Sequence, residues 1–261
     1  MEFQDIKYQK QDHIATITLN RPDLKNAFTL PMLKSVELAL MDAKDDPEIK
    51  VIILTGAGDV FCAGGNIKDM AGGKLQSWQM KDYLWNHVQR VPLLLEDIDK
   101  PIVAMLNGPA FGGGMDLALM CDLRVASERA NLCATYVRIG LAPGDGGAFL
   151  LPRLVGLAKT MEILLTGDVI EPAEALSLGL VNKVTAHADL EAETLALAGK
   201  MSQWPLVSLR ACKRAVMNGL TSSFRSHMDY VSSQVAMLSA TEDHMNAVNR
   251  LIKGGKDRSN D

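Results

Sequence analysis

The chain has 261 residues, of which 48% are hydrophobic and 22% charged, and its formal net charge is −4. This composition supplies a large buried core, either in one domain or in a domain with an extension. The Lys and Arg residues are scattered, which argues against a nucleic-acid-binding protein but leaves room for a local patch that binds a phosphorylated ligand.

Cysteine usage and the N-terminus indicate where the protein works. The cysteines form no CxxC pair and have no histidine at zinc-ligand spacing, so neither a disulfide nor a metal site is expected. We therefore predict a reducing, cytoplasmic location. The sequence shows no basic segment leading into an apolar one, and no run approaches the roughly 20 apolar residues that span a bilayer. No export signal and no membrane span are expected.

The first part of the chain alternates between β-like and helix-like segments. Residues 6–19 are predicted to form a hairpin with a turn near residues 10–12. Apolar residues between Met32 and Met41 recur at helical spacing, and Asp45-Asp46-Pro47 is the expected end of that helix. Residues 51–54 are predicted to form a buried strand.

Two glycine-rich stretches each follow a strand-like run and lead into a helix-like one. They are Phe61-Cys-Ala-Gly-Gly-Asn-Ile-Lys-Asp-Met70 and Asn107-Gly-Pro-Ala-Phe-Gly-Gly-Gly-Met-Asp116. Glycines at such turns let backbone N–H groups point at a ligand, and two such donors can hold a carbonyl oxygen as it becomes negative. Each stretch alone is more typical of a tight turn. Together, in this order, they predict chemistry on an acyl group.

Later segments extend the same pattern. Residues 102–106 and 123–126 are predicted strands with a helix over residues 116–121 between them, and repeated β-turn-α units indicate an α/β core. From Lys159 onward the pattern is almost entirely helical, including a long stretch over residues 206–253.

The chain resembles the enoyl-CoA hydratase/isomerase family, also called the crotonase superfamily, over nearly its whole length. The matching segments are residues 19–22 with 26–27, 62–70, 107–122, 140–147, 151–153, 166–167 with 174–175, and 179–181. The resemblance implies an α/β fold with a crotonase-like ββα spiral core over residues 1–203. It also implies a C-terminal helical segment over residues 204–261 that makes homotrimers and pairs of trimers. The substrate would be an acyl-CoA thioester, with no cofactor beyond the coenzyme A that the substrate carries.

The resemblance assigns binding roles to the first glycine stretch and its surroundings. The oxyanion hole falls on the backbone N–H groups of Gly65 and Gly113. The implied residues for binding coenzyme A are Lys25, Ala63, Asn66, Ile67 and Lys68, with Arg21 as a further cation for the phosphates. As single residues, these cations are equally explained as solvated surface charges.

The acid–base residues depart from the hydratases of the family, which divide hydration between two glutamates. The first of those positions is Asp116, shorter by one methylene, and the second is Tyr136. A tyrosine with an unperturbed pKa of about 10 is a poor general base. Asp145, in the turn of residues 143–147, is the predicted replacement, because dienoyl-CoA isomerases of the family carry an aspartate there. The alternatives are a helix N-terminal acid for Asp116 and an Asx turn or helix cap for Asp145.

The segment over residues 78–90 is rich in aromatic side chains. Tyr83, Trp85 and His87 are candidates for lining the acyl pocket, and the alternative is an amphipathic helix that buries Leu84, Val88 and Val91.

The sequence thus predicts an enoyl-CoA hydratase or isomerase in which Asp116 and Asp145 move protons. Because a related dehalogenase uses an aspartate at the position of Asp145 as nucleophile, one alternative is an acyl-CoA hydrolase or a ring-directed enzyme. The other alternative is an acyl-CoA-binding protein with weak catalysis.

Overall fold

The computed structural model describes residues 2–66 and 76–257. The chain forms two compact units, Met1–Ser202 and Gln203–Asp261. The first unit contains every residue of the candidate site that follows.

Strands of the first unit form two sheets. In chain order they are β1 (Ile6–Gln11), β2 (Ile14–Leu19), β3 (Val51–Gly56), β4 (Ile102–Leu106), β5 (Ala110–Phe111), β6 (Leu123–Ser127), β7 (Leu132–Cys133), β8 (Val169–Ile170) and β9 (Lys183–Thr185). The larger sheet has the order β1-β2-β3-β4-β6-β9, and the smaller has the order β5-β7-β8. Only the pairs β1–β2 and β7–β8 are antiparallel among these described strands.

The predicted hairpin is confirmed by β1 and β2. Its turn lies at Asp12 and His13, whose φ angles of 51° and 66° are both left-handed. Two consecutive left-handed residues match the right-handed twist of the flanking strands, as in tight two-residue hairpin turns. The strands then pair from Gln11 opposite Ile14 to Ile6 opposite Leu19.

Helices connect the parallel strands. In chain order they are α1 (Leu30–Asp45), α2 (Ser77–Tyr83), α3 (Arg90–Asp97), α4 (Gly113–Leu119), α5 (Gly147–Thr166), α6 (Pro172–Ser177) and α7 (Leu190–Ser202). A π-helical turn, Leu84–Val88, joins α2 to α3, and a 3-10 turn, Thr135–Ile139, precedes α5.

Helix α1 begins and ends where the sequence predicts. The Thr29 hydroxyl oxygen accepts a hydrogen bond from the Met32 backbone N–H at 3.1 Å, which caps the first turn. Pro31 lies in that turn, where its missing N–H costs nothing. The helix ends at Asp45, the first residue of the expected Asp45-Asp46-Pro47 end.

The inner strands of the larger sheet are buried on both faces, and this explains the continuous apolar run of β3. Ile52 and Leu54 belong to the main core, which includes the buried face of α1, whereas Val51 and Ile53 pack with residues of α7. Successive strand residues point to opposite faces, so the two faces contact different helices. This packing on both faces holds the strands of the sheet in place, and with them the loops that leave the strand ends.

Some elements were not predicted. The short strands β8 and β9 lie in a region whose pattern predicts only helices, and Gly156, with a φ of 76°, interrupts α5. In the second unit the long predicted stretch is divided into α8 (Leu206–Gly219), α9 (Phe224–Ser239) and α10 (Glu242–Asp257). Within the described part of the chain, no helix has the length and apolar content needed to cross a membrane.

Candidate active site

The two glycine stretches run side by side. The Phe111 N–H donates to the Cys62 carbonyl oxygen at 3.0 Å, and the Cys62 N–H donates to the Pro109 carbonyl oxygen at 3.3 Å. Gly64 has a φ of +78°, and a Cβ there would lie 2.8 Å from the backbone nitrogen of Gly113. Only glycine meets both requirements, so Gly64 lets the first stretch approach the start of α4.

Two buried asparagines hold these stretches in place. The Asn26 side-chain amide donates to the Val60 carbonyl oxygen at 2.7 Å. Asn107 accepts from the Gly56 N–H at 3.1 Å and donates to the Gly58 carbonyl oxygen at 2.7 Å. We did not predict either residue as part of the site. Their sequence positions could have indicated a role, because both asparagines lie in segments that carry the family resemblance.

The backbone N–H groups of Gly65 and Gly113 have no acceptor among the described residues. Gly113 is the first residue of α4, where helical N–H groups have no partner inside the helix. Gly65 is half-buried and pairs with Phe28 in an isolated parallel bridge. Both groups can therefore donate to a ligand.

Asp116, Tyr136 and Gly147 meet in the interior. The Tyr136 hydroxyl donates to Asp116 Oδ2 at 2.7 Å, and the Gly147 N–H donates to the same oxygen at 2.9 Å. Asp116 is 1% exposed. It also lies in the first turn of α4, where the helix dipole favours a negative charge. A hydrogen bond thus joins Asp116 and Tyr136, the two residues to which the family resemblance assigns the acid–base positions.

Asp145 lies beside Gly113, in the loop before α5. A Cβ on Gly113 would collide with Asp145 Oδ2 and lie 3.0 Å from Phe28 Cε2. Asp145 does not cap α5, because the cap residue is Gly146 and the Gly147 N–H at the helix N-terminus donates to Asp116 instead. No donor to the Asp145 carboxylate is found in residues 2–66 and 76–257. The cap alternative for Asp145 is therefore wrong.

The surroundings of the two carboxyl groups raise both of their pKa values. Burial raises the pKa of Asp116 to about 6, although hydrogen bonds from Tyr136, Gly147 and the Asp145 backbone lower it. Burial and then the negative charge of Asp116 raise the pKa of Asp145 to about 7. Burial and the same two carboxylates raise the pKa of Tyr136 far above its usual range. Both carboxyl groups therefore change charge close to neutral pH, while Tyr136 stays a neutral donor.

An apolar pocket opens at Gly113 and Asp145. Its walls include Phe28 and side chains from α1 and from the π-helical turn and α3. Of the described residues that line this pocket, Asp145 is the one with a charged side chain. The pocket thus places an ionisable carboxyl group in apolar surroundings.

The segment over residues 78–90 lines the pocket with valines and not with the aromatic side chains that were candidates. Trp85 is 59% exposed, and neither it nor Tyr83 lines this pocket. Val88 and Val91 are buried and line the pocket instead, as the amphipathic alternative requires. His87 lines a separate, more open cavity. The π-helical turn in this segment was not predicted.

Residues proposed for binding coenzyme A lie at the edge of the first glycine stretch. The Ala63 N–H donates to the Lys25 carbonyl oxygen at 3.0 Å, so these two residues are neighbours. Lys25 is exposed and Asn66 is half-buried. Ile67 and Lys68 lie outside the described residues. The structure thus brings Lys25 to the same stretch as Ala63 and Asn66.

Comparison with known proteins identifies the family. The sequence profile named enoyl-CoA hydratase/isomerase matches residues 9–252. The chain belongs to the enoyl-CoA hydratase/isomerase family. The family predicted from the sequence is therefore confirmed. The predicted enzyme class, an enoyl-CoA hydratase or isomerase, is also confirmed, and it implies an acyl-CoA substrate.

Individual family members match almost end to end. The chain is 32% identical to the crotonyl-CoA hydratase of Syntrophomonas wolfei, over 98% of each chain. It is 33% identical to the short-chain-enoyl-CoA hydratase of Clostridium acetobutylicum, over 98% of this chain and 97% of that protein. The crystal structure of an enoyl-CoA hydratase from Bacillus anthracis superposes with a TM-score of 0.91 at 30% identity, covering 96% of this chain and 97% of the other. The expected crotonase-like α/β fold is confirmed.

Proposed function

We propose that the protein moves protons on an enoyl-CoA thioester, with Gly65 and Gly113 holding the thioester oxygen and with Asp116 and Asp145 as the carboxyl pair. One observation carries this proposal. The Asp145 carboxyl group lines an apolar pocket directly beside Gly113, whose N–H group has no acceptor in the described part of the chain. A base and an oxyanion donor thus face the same space.

The chemistry follows from where charge develops. Removing a proton next to a thioester carbonyl forms an enolate, whose charge lies on the carbonyl oxygen. Two preorganised N–H donors stabilise that oxygen in apolar surroundings, where removing one such donor typically costs about 10²–10³-fold in kcat. A carboxyl group whose pKa is about 7 can accept and return a proton at neutral pH.

Isomerisation fits these side chains better than hydration. A hydratase must activate a water while a second group delivers a proton, and Tyr136 occupies the position of the second glutamate. Because the pKa of Tyr136 is raised by burial and by Asp116, it cannot act as a base at neutral pH. Moving a double bond needs only one proton to be taken and returned. Hydration stays the second candidate, because two similar relatives carry hydratase names.

We further propose that coenzyme A lies along Lys25, Ala63, Asn66, Ile67 and Lys68, with phosphates near the lysines. The hydrogen bond that joins Ala63 to Lys25 supports a shared surface. No metal or redox group is needed for this chemistry. The four free cysteines, three of them buried, suit a reducing compartment such as the cytoplasm.

Assembly into homotrimers, or into hexamers made of two trimers, is part of the proposal. Helices α8 and α9 of the second unit expose large apolar side chains, including Val216 at 66% and Phe224 at 80%. Exposed apolar surface of this kind is typical of subunit interfaces. Light scattering after size exclusion should give three or six times 28.3 kDa, and a monomer would contradict the assembly.

The function is tested by incubating the purified protein with short, medium, branched and aromatic 2-enoyl-CoA and 3-enoyl-CoA thioesters. Products are identified by mass and by the absorbance of the conjugated thioester. Equal mass with a shifted double bond supports isomerisation, and a gain of one water supports hydration. Release of free CoA would instead indicate the hydrolase with Asp145 as nucleophile. Tight binding without any product would leave a binding protein.

A further inference from the structure

The two carboxyl groups of the site have opposite surroundings. Asp116 is 1% exposed, accepts from the Tyr136 hydroxyl and the Gly147 N–H, and is absent from the lining of the apolar pocket. Asp145 is half-buried, lines the pocket and has no donor to its carboxylate among the described residues. One carboxylate is fully engaged by the protein, and the other faces the space that a substrate would fill.

We propose that Asp116 and Tyr136 form a buried positioning pair that fixes the loop carrying Asp145, and that Asp116 itself does not exchange protons with the substrate. This inference rests on the proposed function and deepens it. Within the carboxyl pair of the proposed function, it assigns the proton transfer to Asp145 and the positioning of the loop to Asp116.

Asp116 packs tightly against the start of α5. A Cβ on Gly147 would collide with Asp116 Oδ1 and lie 2.9 Å from its Cγ. The carboxylate is thus pressed against the first residue of α5, and its other oxygen already accepts two hydrogen bonds. Through Gly147, Asp116 holds the C-terminal end of the loop that carries Asp145.

One carboxyl group is enough to move the double bond, because it can take a proton from one carbon and return it to another. Asp145 as carboxylate takes a proton from C2 of a 3-enoyl thioester, and the C–H electron pair passes into a dienolate whose charge lies on the thioester oxygen. The electrons then return toward C4, which takes the same proton from the Asp145 carboxylic acid. The double bond moves from C3–C4 to C2–C3, and no water or net proton is consumed.

The test compares Asp145→Asn with Asp116→Asn, with Asp168→Asn as a control at an exposed carboxylate outside the pocket. Each variant is checked by circular dichroism and then assayed with the 3-enoyl-CoA thioester that wild type converts fastest. We expect kcat to fall by about 10³-fold in Asp145→Asn, within the usual range for a general acid–base group. In Asp116→Asn we expect a fall of about 10-fold with KM little changed, because a displaced but intact carboxylate still transfers protons.

The pH profile of kcat/KM separates a positioning role from a structural one. Among the described residues, the titratable groups that face Asp145 from neighbouring elements are Asp116, Tyr136 and Cys62, and none of these three is a cation. Neutralising Asp116 removes a negative charge beside Asp145, so the acidic limb should move to lower pH in Asp116→Asn. A merely structural defect would lower the rate without moving the limb and would contradict the proposal.

Tyr136→Phe keeps the ring and removes one donor to Asp116, and so provides a second test if Asp116→Asn misfolds. Retained turnover in a folded Tyr136→Phe protein supports the proposal. Loss of turnover to the level of Asp145→Asn in either folded variant overturns it. Turnover that persists in Asp145→Asn overturns it as well. If wild type converts no enoyl-CoA at all, the proposed function itself fails, and this outcome is distinct from the others.

Discussion

The side-chain amide of Gln89 donates a hydrogen bond to the carbonyl oxygen of Gly144 at 2.8 Å. Gln89 directly follows the π-helical turn, and Gly144 directly precedes Asp145. The bond therefore ties the wall of the apolar pocket to the loop that carries the proposed base. Together with the bond from Gly147 to Asp116, it holds this loop on both sides of Asp145.

Replacing Gln89 by Leu should weaken catalysis more than folding. The loop loses one of its two ties, and a misplacement of about 1 Å at a reacting group can cost about 10²-fold in rate. We expect kcat to fall by about 10-fold, with a small change in melting temperature. Gln9→Leu, at an exposed position of β1, is the matched control and should behave as wild type. Equal kinetics in the two variants would show that the tie has no role.

Lys100 has a structural role, although lysine side chains usually lie on the surface. It is 1% exposed, and its ammonium group donates to the carbonyl oxygens of Ala43 at 2.8 Å and Asp46 at 2.6 Å. These carbonyl groups belong to the last turn of α1 and the residue after it, which a helix leaves without internal partners. A cation at this end is also favoured by the helix dipole.

Lys100→Met should therefore destabilise the fold by about 2–3 kcal/mol, because the buried Ala43 carbonyl group loses its donor. Urea unfolding of the variant should show a lower midpoint with an unchanged slope. Lys7→Met, at an exposed position of β1, is the control and should shift stability by no more than about 0.5 kcal/mol. A similar midpoint for both variants would contradict the capping role of Lys100.

Sequence periodicity could predict much of the fold but only part of the site. The alternation of β2 and the helical spacing of α1 are local patterns, and both segments lie where they are predicted. The bond between Tyr136 and Asp116 joins residues 20 positions apart, and no local pattern encodes it. The family resemblance did name both residues. Gln89 was not named, because a π-helical turn depends on tertiary packing and has no recognised sequence signal.

Gly113→Ala should act on the site through Asp145. The added Cβ would collide with Asp145 Oδ2 and crowd Phe28, so the carboxylate must move away from the oxyanion donor. We expect kcat to fall by about 10²-fold, from misplacement of the reacting group. Gly199→Ala in α7, where an added Cβ meets nothing within 4 Å, is the control. Wild-type kinetics for Gly113→Ala would place the reacting carboxylate elsewhere.

The raised pKa of Asp145 makes stability depend on pH. An unfolded aspartate has a pKa near 3.9, whereas burial and Asp116 raise that of folded Asp145 to about 7. Between these values the folded state binds more protons than the unfolded one, so stability falls as pH rises. The contribution of Asp145 is fully present below about pH 4 and is lost as pH passes through about 7.

Asp145→Asn removes this loss, because an amide stays neutral at every pH. Its melting temperature should match wild type below about pH 4, where Asp145 is protonated in the folded state and largely protonated in the unfolded state. At about pH 8 it should exceed wild type by about 3 °C or more, the shift expected per kcal/mol in a protein of this size. Asp168→Asn, at an exposed carboxylate, should show no such difference between the two pH values. If Asp145→Asn were less stable than wild type at about pH 8, the charged carboxylate would have to be stabilised by the protein, and its assignment as the unpartnered base of the pocket would fail.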